Sequence, residues 1–367
     1  MRGVIDPFRR VRHTPFTPGV EAAGVKKYII YNSMLLATEY ESVEADYHHL
    51  KRHVQVWDVA CERQIALKGP DARRFLQMVT PRDCAKLHPT RCLYVPICDE
   101  NGGMMNDPIA LEIGPEEVWL SIASSPVEVW LSGIAAATGL QVSVGEVDVS
   151  PLAIQGPQAG VLAARIFGDA VNDLGFFRCG RFAWNGIDWL VARSGWSGQG
   201  GFEVYVEGSE NGMPLWDALM AAGQDLQVRA GCPNAIERIE SGLLSYGDDM
   251  TRDDTPLQAG LGRYVSDNQL DHCWGGRRLK EERAEGVSRM LRPVEVSGQL
   301  AAVNHPMPLF AGADRVGELR VSRFSPDFAV NVGIAMIDRE HWSAGTELEL
   351  QTETGRAPVL VRDKYWN

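Results

Sequence analysis

Asp107 closes the run Asn101-Gly102-Gly103-Met104-Met105-Asn106-Asp107-Pro108. A glycine turn here delivers an amide and an acid ahead of a strand, and a carboxyl just beyond a turn is well placed to point into a cleft. Asn-Gly-Gly is also good hairpin chemistry, so a plain turn is the competing reading. A second run, Arg193 to Tyr205, sets Gly195, Gly198, Gly200 and Gly201 around Trp196, then alternates Phe202 and Val204 against Glu203 and Tyr205. The two-residue period of a strand puts Glu203 and Tyr205 on one face. If that face lines a cleft, a carboxylate and a phenol converge there. The glycine arc would let a flat ligand approach the backbone. If it faces water, the same pattern is a hairpin with a polar outer side.

Two further runs carry polar groups at suggestive spacing. Within Glu237 to Met250, helical spacing aligns Glu237 with Glu240, or Arg238 with Ser241 and Ser245, before a turn at Gly247. Thr255-Pro256-Leu257-Gln258-Ala259-Gly260-Leu261-Gly262 is rich in glycine but matches neither a dinucleotide fingerprint nor a phosphate loop. By itself it reads as a turn. Metal chemistry finds little support. His49 and His53 are spaced for a helix but lack the following Glu of a metalloprotease helix, and Cys84, His88, Cys92 and Cys98 fit no zinc spacing. The seven cysteines include no Cys-x-x-Cys pair and read as reduced, structural thiols.

The elements that must position these residues show in the hydrophobic pattern. Val43, Tyr47, Leu50 and Val54 mark one face of a helix over Glu41 to Val54, with His48, His49 and His53 on its solvated side. A strand, a Gly-Pro turn and a helix start recur at Arg63 to Ala72 and at Ser150 to Ala159, leading into apolar helices Arg73 to Val79 and Val161 to Phe167. Two similar α/β halves are expected. Strands are expected at Val118 to Ile122, Trp189 to Ala192, Glu203 to Val206, Glu347 to Leu350 and Val359 to Val361, and helices at Met213 to Ala222 and Asn234 to Ser245. After Ser288 short strands punctuated by Gly and Pro dominate, which suggests a small β-domain behind the charged helix Lys280 to Glu285.

The 367 residues suffice for two or three domains. A net charge of -12 repels phosphate backbones, so no nucleic acid is expected as a partner. The longest apolar stretch, Val129 to Leu140, is too short to span a membrane, and the first residues lack the apolar core of a signal peptide. The chain reads as soluble and cytoplasmic.

In their order, the four runs resemble the glycine-cleavage T-protein superfamily from about residue 20 onward. Gly102-Gly103-x-x-Asn106-Asp107 is similar to the family's Gly-Gly-x-x-Asp-Asp, and Ser194-Gly195-Trp196-Ser197-Gly198-x-x-Gly201-Phe202-Glu203 to its Thr-Gly-Tyr-Thr-Gly-x-x-Gly-Phe-Glu. Leu243-x-x-Tyr246-Gly247-x-Asp249 and Thr255-Pro256-x-x-Ala259-Gly260-Leu261 match its helix end and following turn. Within the superfamily, Gly24-Val25-Lys26 through Tyr31-Asn32, Asp46 to Lys51, Val54 to Val59, Asn106 and Trp196 resemble tetrahydrofolate-dependent dimethylsulfoniopropionate demethylases more than the aminomethyltransferases.

The resemblance implies an α+β fold: a three-domain cloverleaf of the T-protein type, with two interleaved α/β domains around a folate funnel (residues 1–287) and a C-terminal β-barrel-like domain (residues 288–367). It implies a cytosolic enzyme that moves a methyl group from a small sulfonium donor to N5 of tetrahydrofolate. Asp107 and Tyr205 are the catalytic candidates. Glu203, Asp107, Tyr94 and Arg193 are the candidates to hold folate, and Trp196, Phe177, Tyr205 and Ser33 to hold the donor. A sulfonium methyl is already activated, so in-line displacement by N5 needs positioning more than acid or base help. Aromatic faces hold such a cation at about 0.5–2 kcal/mol per ring. A buried countercharge would over-stabilise a ground state that loses its charge in the reaction. After Tyr31-Asn32 the family usually continues with His and later Pro, whereas this chain runs Ser33 to Tyr40 and adds Glu39; Asp271 to Arg278 is also unusual. A methylated amine, a methoxy compound and aminomethyl transfer therefore stay open as alternatives, as does a homodimer.

Overall fold

The recurring Gly-Pro turn is the device that starts both α/β layers. In the computed structural model, which describes residues 10–367 apart from Gln299 and Thr354, Gly69 has φ 133° and Gly156 φ 119°. A Cβ on Gly69 would lie 2.3 Å from the carbonyl of Gln141, and one on Gly156 2.4 Å from that of His53. Each glycine carbonyl then accepts from the amide three residues on, Ala72 and Ala159, at 3.0 Å. The following helices run Ala72–Val79 and Ala159–Phe167.

The chain divides into two units. One comprises the chain up to Arg73, Lys86–Leu93 and Ile109–Asn234. Its larger sheet has the order Cys179–Trp184, Ile187–Ala192, Gly201–Glu207, Val149–Gln155, Gln55–Asp58, Arg229–Gly231, antiparallel except for the last pair. Phe202, Val204 and Val206 turn one way, into a core with Leu162, Leu219 and Trp216 from helices Ala159–Phe167 and Gly212–Ala222. Tyr205 turns the other way, onto Cys92, Cys179, Leu190, Leu111 and Trp119. The last two belong to strands Ile109–Gly114 and Glu117–Ser121 of the unit's second sheet. The strand that carries Glu203 and Tyr205 is thus interior to its sheet and buried on both faces, not a hairpin with a wet side.

The helix anticipated from Glu41 is Val43–Arg52, capped by Ser42, whose Oγ accepts from the Ala45 amide at 3.1 Å. Tyr47 and Leu50 are buried as the spacing predicts, but Val43 is exposed. His49 is buried rather than solvated: its Nε2 lies 2.8 Å from the carbonyl of Gln227, and burial pulls its pKa down to about 4.

The other unit comprises Arg74–Ala85, Tyr94–Pro108 and Ala235–Asn367. Six strands close into a barrel in the order Arg289–Val296, Val330–Asp338, Asp314–Ser325, Met307–Ala311, Glu347–Thr352, Gly355–Val361. The barrel is packed with Val294, Leu309, Leu319, Ile337, Leu350 and Val359. The helix expected over Asn234 to Ser245 stops at Glu240. Gly242 adopts φ 68°, and the amides of Leu243 and Gly242 return to the carbonyls of Arg238 and Ile239. This paired closure at a left-handed glycine ends a helix. Arg238 therefore does not align with Ser241 and Ser245; it pairs with buried Asp249 at 2.6 Å. The Thr255 to Gly262 run is a structural knot, in which Thr255 and Gln258 donate to Glu282 at 2.6 and 3.1 Å. Among the described residues no helix is long and apolar enough to cross a membrane.

Candidate active site

Glu203 sits mid-strand, opposed on both sides by alanines, Ala153 and Ala192. Its two cross-strand neighbours thus present only methyl groups. Burial pushes the carboxyl up, and two hydroxyls resist: Ser194 Oγ donates to Oε2, and Tyr205 donates from two residues along the strand. Tyr205 is itself fully buried, and its phenol is pushed up by that burial and by Glu203. This is an acceptor held ready for donors, with its own hydrogen-bonding partners fixed beside it. Below it, the Cys92 thiol donates to Cys179, which draws Cys179 down and Cys92 up.

The glycine arc is organised by a residue that sequence reasoning passed over. Gln155, fully buried, accepts from Ser197 Oγ at 2.7 Å and donates to the Ser194 carbonyl at 3.3 Å. Gly195 and Gly201, at φ 152° and 153°, press against that amide; a Cβ on either would come within 2.2 or 2.4 Å of Gln155 Nε2. The loop therefore wraps one amide and presents half-buried Trp196. The signal available in sequence was the Gln-Gly-Pro turn itself, whose counterpart in the first copy is exposed Lys68.

Phe177 stands at φ 58°, which costs a bulky residue about 1–3 kcal/mol and marks a held position. Its amide donates to the Arg193 carbonyl at 3.0 Å, its carbonyl accepts from the Cys92 amide, and its ring packs against the apolar cluster that includes Tyr205. The Arg193 guanidinium ties down its own unit: Nη1 donates to the carbonyls of Asn172 and Leu174 at 3.1 and 2.9 Å, and the group lies 5.5 Å over Phe202. Ser33 occupies the exposed second position of the tight turn between strands Lys27–Tyr31 and Met34–Glu39, where Asn32 and Ser33 have φ 47° and 62°.

In the second unit, the strands Ile97–Cys98 and Met104–Asn106 form a hairpin whose turn is tied by Asp99, which accepts from the amides of Asn101 and Gly103 at 2.9 Å. Asp107 follows. Its carboxyl lies deep, and burial pushes it up to about 7 although Tyr94 donates to Oδ2 at 2.8 Å. Tyr246 donates to the Met104 carbonyl at 2.9 Å, and burial with nearby Asp107 pushes its phenol to about 12. Tyr264 packs against Tyr94 with its ring tilted by 49°, centroids 4.8 Å apart. The structure thus joins Glu203, Tyr205 and Phe177 in one unit and Tyr94 and Asp107 in the other. Among the described residues no three His, Cys, Asp or Glu are placed to hold a metal ion.

The model of the GCVT N-terminal domain matches residues 20–269, and that of the glycine cleavage T-protein C-terminal barrel domain residues 289–366. The chain belongs to the glycine-cleavage T-protein family. Among relatives of this T-protein chain, the dimethylsulfoniopropionate demethylase DmdA of Ruegeria pomeroyi is 52% identical over 362 residues, 99% of each chain. An aminomethyltransferase of Bacillus cereus is 29% identical over 342 residues, 91% of this chain and 92% of the relative. The solved structure of aminomethyltransferase T of the glycine cleavage system from Bartonella henselae, at 24% identity, matches 97% of this chain with a TM-score of 0.86 and covers 98% of its own. The T-protein fold with its C-terminal barrel is therefore the fold of this chain.

Proposed function

We infer that this T-protein-family chain is a tetrahydrofolate-dependent demethylase that moves a methyl group from a small sulfonium, dimethylsulfoniopropionate or a close relative, to N5 of tetrahydrofolate. The observation that carries the reading is 52% identity to a dimethylsulfoniopropionate demethylase across 99% of both chains. The site chemistry supports it. Glu203, with its hydroxyl partners fixed, suits the paired N–H donors of a pterin edge. Asp107 stands for the carboxyl near the reacting nitrogen. Trp196, Phe177, Tyr205 and Tyr94 supply rings for a sulfonium. Arg193 serves folate binding through the Phe177 segment it secures, and Ser33 with Glu39 remain the candidates for donor preference. Residues 1–287 would be the folate-binding region and 288–367 the β-domain, a division supported by the first barrel strand beginning at Arg289. Seven cysteines outside any disulfide suit the reducing cytoplasm.

The deciding experiment incubates the protein with tetrahydrofolate and a panel of sulfonium, methylamine and methoxy donors. Formation of 5-methyltetrahydrofolate from the sulfoniums is expected. Product only from an amine or ether would overturn the donor class, and ammonia with methylenetetrahydrofolate from an aminomethyl carrier would replace demethylation by aminomethyl transfer. Gel filtration separates a monomer from a homodimer.

A further inference from the structure

Two thiols meet in the apolar cluster that holds Tyr205. Their segments are joined by an isolated bridge between Arg91 and Arg178, where the Cys92 amide donates to the Phe177 carbonyl at 3.1 Å and the Cys179 amide to the Thr90 carbonyl at 3.2 Å. One residue beyond the bridge on each segment, Cys92 and Cys179 turn to its other face. The Cys92 thiol donates to the Cys179 sulfur, and the Cys179 thiol to the Pro89 carbonyl at 3.4 Å. The bond from Cys92 draws the Cys179 thiol below its ordinary value against the push of burial, and the Arg178 charge adds to it. By contrast, burial pushes the thiols of Cys61 and Cys98 up, and that of Cys273 up to about 11. The bridge is weak, because like charges stand opposite each other across it. Pro89, Thr90 and Arg178 around it are exposed, so local opening admits a small oxidant while the sheet stays folded.

We propose that Cys92 and Cys179 are a site of reversible oxidation by hydroperoxides, and that closing their disulfide shifts the row that holds Glu203 and shuts the enzyme down. Cys179, as thiolate, attacks the O–O bond of the peroxide. That bond breaks to leave a sulfenic acid on Cys179, and the departing oxygen takes up the proton that Cys179 released. The Cys92 sulfur then displaces the hydroxyl, which leaves as water with the Cys92 proton. The two thiols lose two electrons, the peroxide gains them, and a dithiol reverses the step. Diagonal neighbours across a ladder lie about 7–8 Å apart at Cα, wider than a disulfide's usual span, so closure draws the two segments together. Cys179 begins the strand Cys179–Trp184 opposite Ala192, and Ala192 stands opposite Glu203. A pull on Cys179 therefore acts along the row that ends at the candidate folate carboxylate.

The test treats the full chain with hydrogen peroxide and follows intact mass, free-thiol count and turnover. The mass should fall by two hydrogens, and a digest without reductant should yield a peptide pair linked through Cys92 and Cys179. Turnover should drop roughly ten-fold, the worth of one displaced charge-assisted hydrogen bond, and return on adding a dithiol. Cys92→Ala should leave Cys179 to stop at the sulfenic acid or go on to higher acids, and Cys179→Ser should spare Cys92. In Cys179→Ser the ratio of treated to untreated turnover should stay near one, whatever the variant's own rate. The linked peptides are read without substrate, so the site stands or falls apart from the methyl-transfer reading, and only the loss of turnover rests on that reading. An unchanged thiol count, or a linked pair elsewhere such as Cys98 with Cys273, would overturn the site. A Cys92–Cys179 disulfide in an enzyme of full turnover would overturn the shutdown.

Discussion

The Tyr94 hydroxyl donates to Oδ2 of Asp107 at 2.8 Å, and together with a backbone amide it opposes the upward push of burial on that carboxyl. Tyr94→Phe removes the larger part of the opposition. Asp107 should then rise above about 7, and the acid limb of the pH–kcat profile should move to higher pH with it. A limb that stays in place in the variant would separate Asp107 from the rate.

The same carboxyl costs stability at neutral pH. Its ordinary value is 3.8 and its folded value about 7, so the folded state holds the proton across that interval while the unfolded chain releases it. Its contribution is therefore fully present below about 4 and lost as pH rises to about 7. Asp107→Asn should raise Tm by a few degrees at pH 8, should do nothing at pH 3.5, and should abolish most turnover. Thermal melts at the two pH values check it.

Glu203→Ala should weaken tetrahydrofolate binding about 10- to 100-fold, the worth of one or two charge-assisted hydrogen bonds. Ser194→Ala leaves the carboxylate but removes a donor that lowers it, so a smaller loss, roughly five-fold, is expected and should be largest at low pH. Calorimetry across pH 6 to 8 separates the two variants.

Trp196→Ala should raise the donor's KM roughly three- to thirty-fold, which corresponds to about 0.5–2 kcal/mol for one ring over a cation. Folate affinity should stay as it is. Steady-state kinetics with each substrate varied in turn gives both numbers.

Gly195→Ala should act on the same loop from beneath, because its Cβ would meet the Gln155 amide at 2.2 Å and its φ of 152° suits only glycine. Gln155→Met, close in volume, should cost about 1–3 kcal/mol by stranding the Ser194 carbonyl and Ser197 hydroxyl. Both variants should show a lowered Tm and a raised donor KM. Wild-type values in either would remove Gln155 as the loop's organiser.

The period-two pattern at Phe202 to Tyr205 was readable because strand geometry alternates faces whatever surrounds it, and the pairing of Glu203 with Tyr205 came out directly. What decided between a cleft and a wet hairpin lay outside that pattern: the strand is interior because Val149–Gln155 and Ile187–Ala192 pair with it from both sides. The helix after Asn234 was over-extended because Ser241, Leu244 and Ser245 keep the period, whereas one left-handed glycine ends it. The charge of Arg193 was visible in the sequence, whereas its main-chain partners, some twenty residues upstream, were not. Tyr264 and Gln155 escaped for a related reason. Each acts on a loop distant in sequence, and no local spacing records such a contact.

Closing six strands into a ring has a consequence for how this chain behaves in crowded solution. An open sheet carries a row of unsatisfied amides and carbonyls that can recruit a stranger's backbone, and the ring has none. Phe324 and Phe328 can therefore stand exposed at the bend between its two longest neighbouring strands without seeding growth. A proteolytic cut that removed Gly355–Val361 would uncover two such rows at once, and the sticky fragment left behind would be lost to aggregation before its chemistry could be missed.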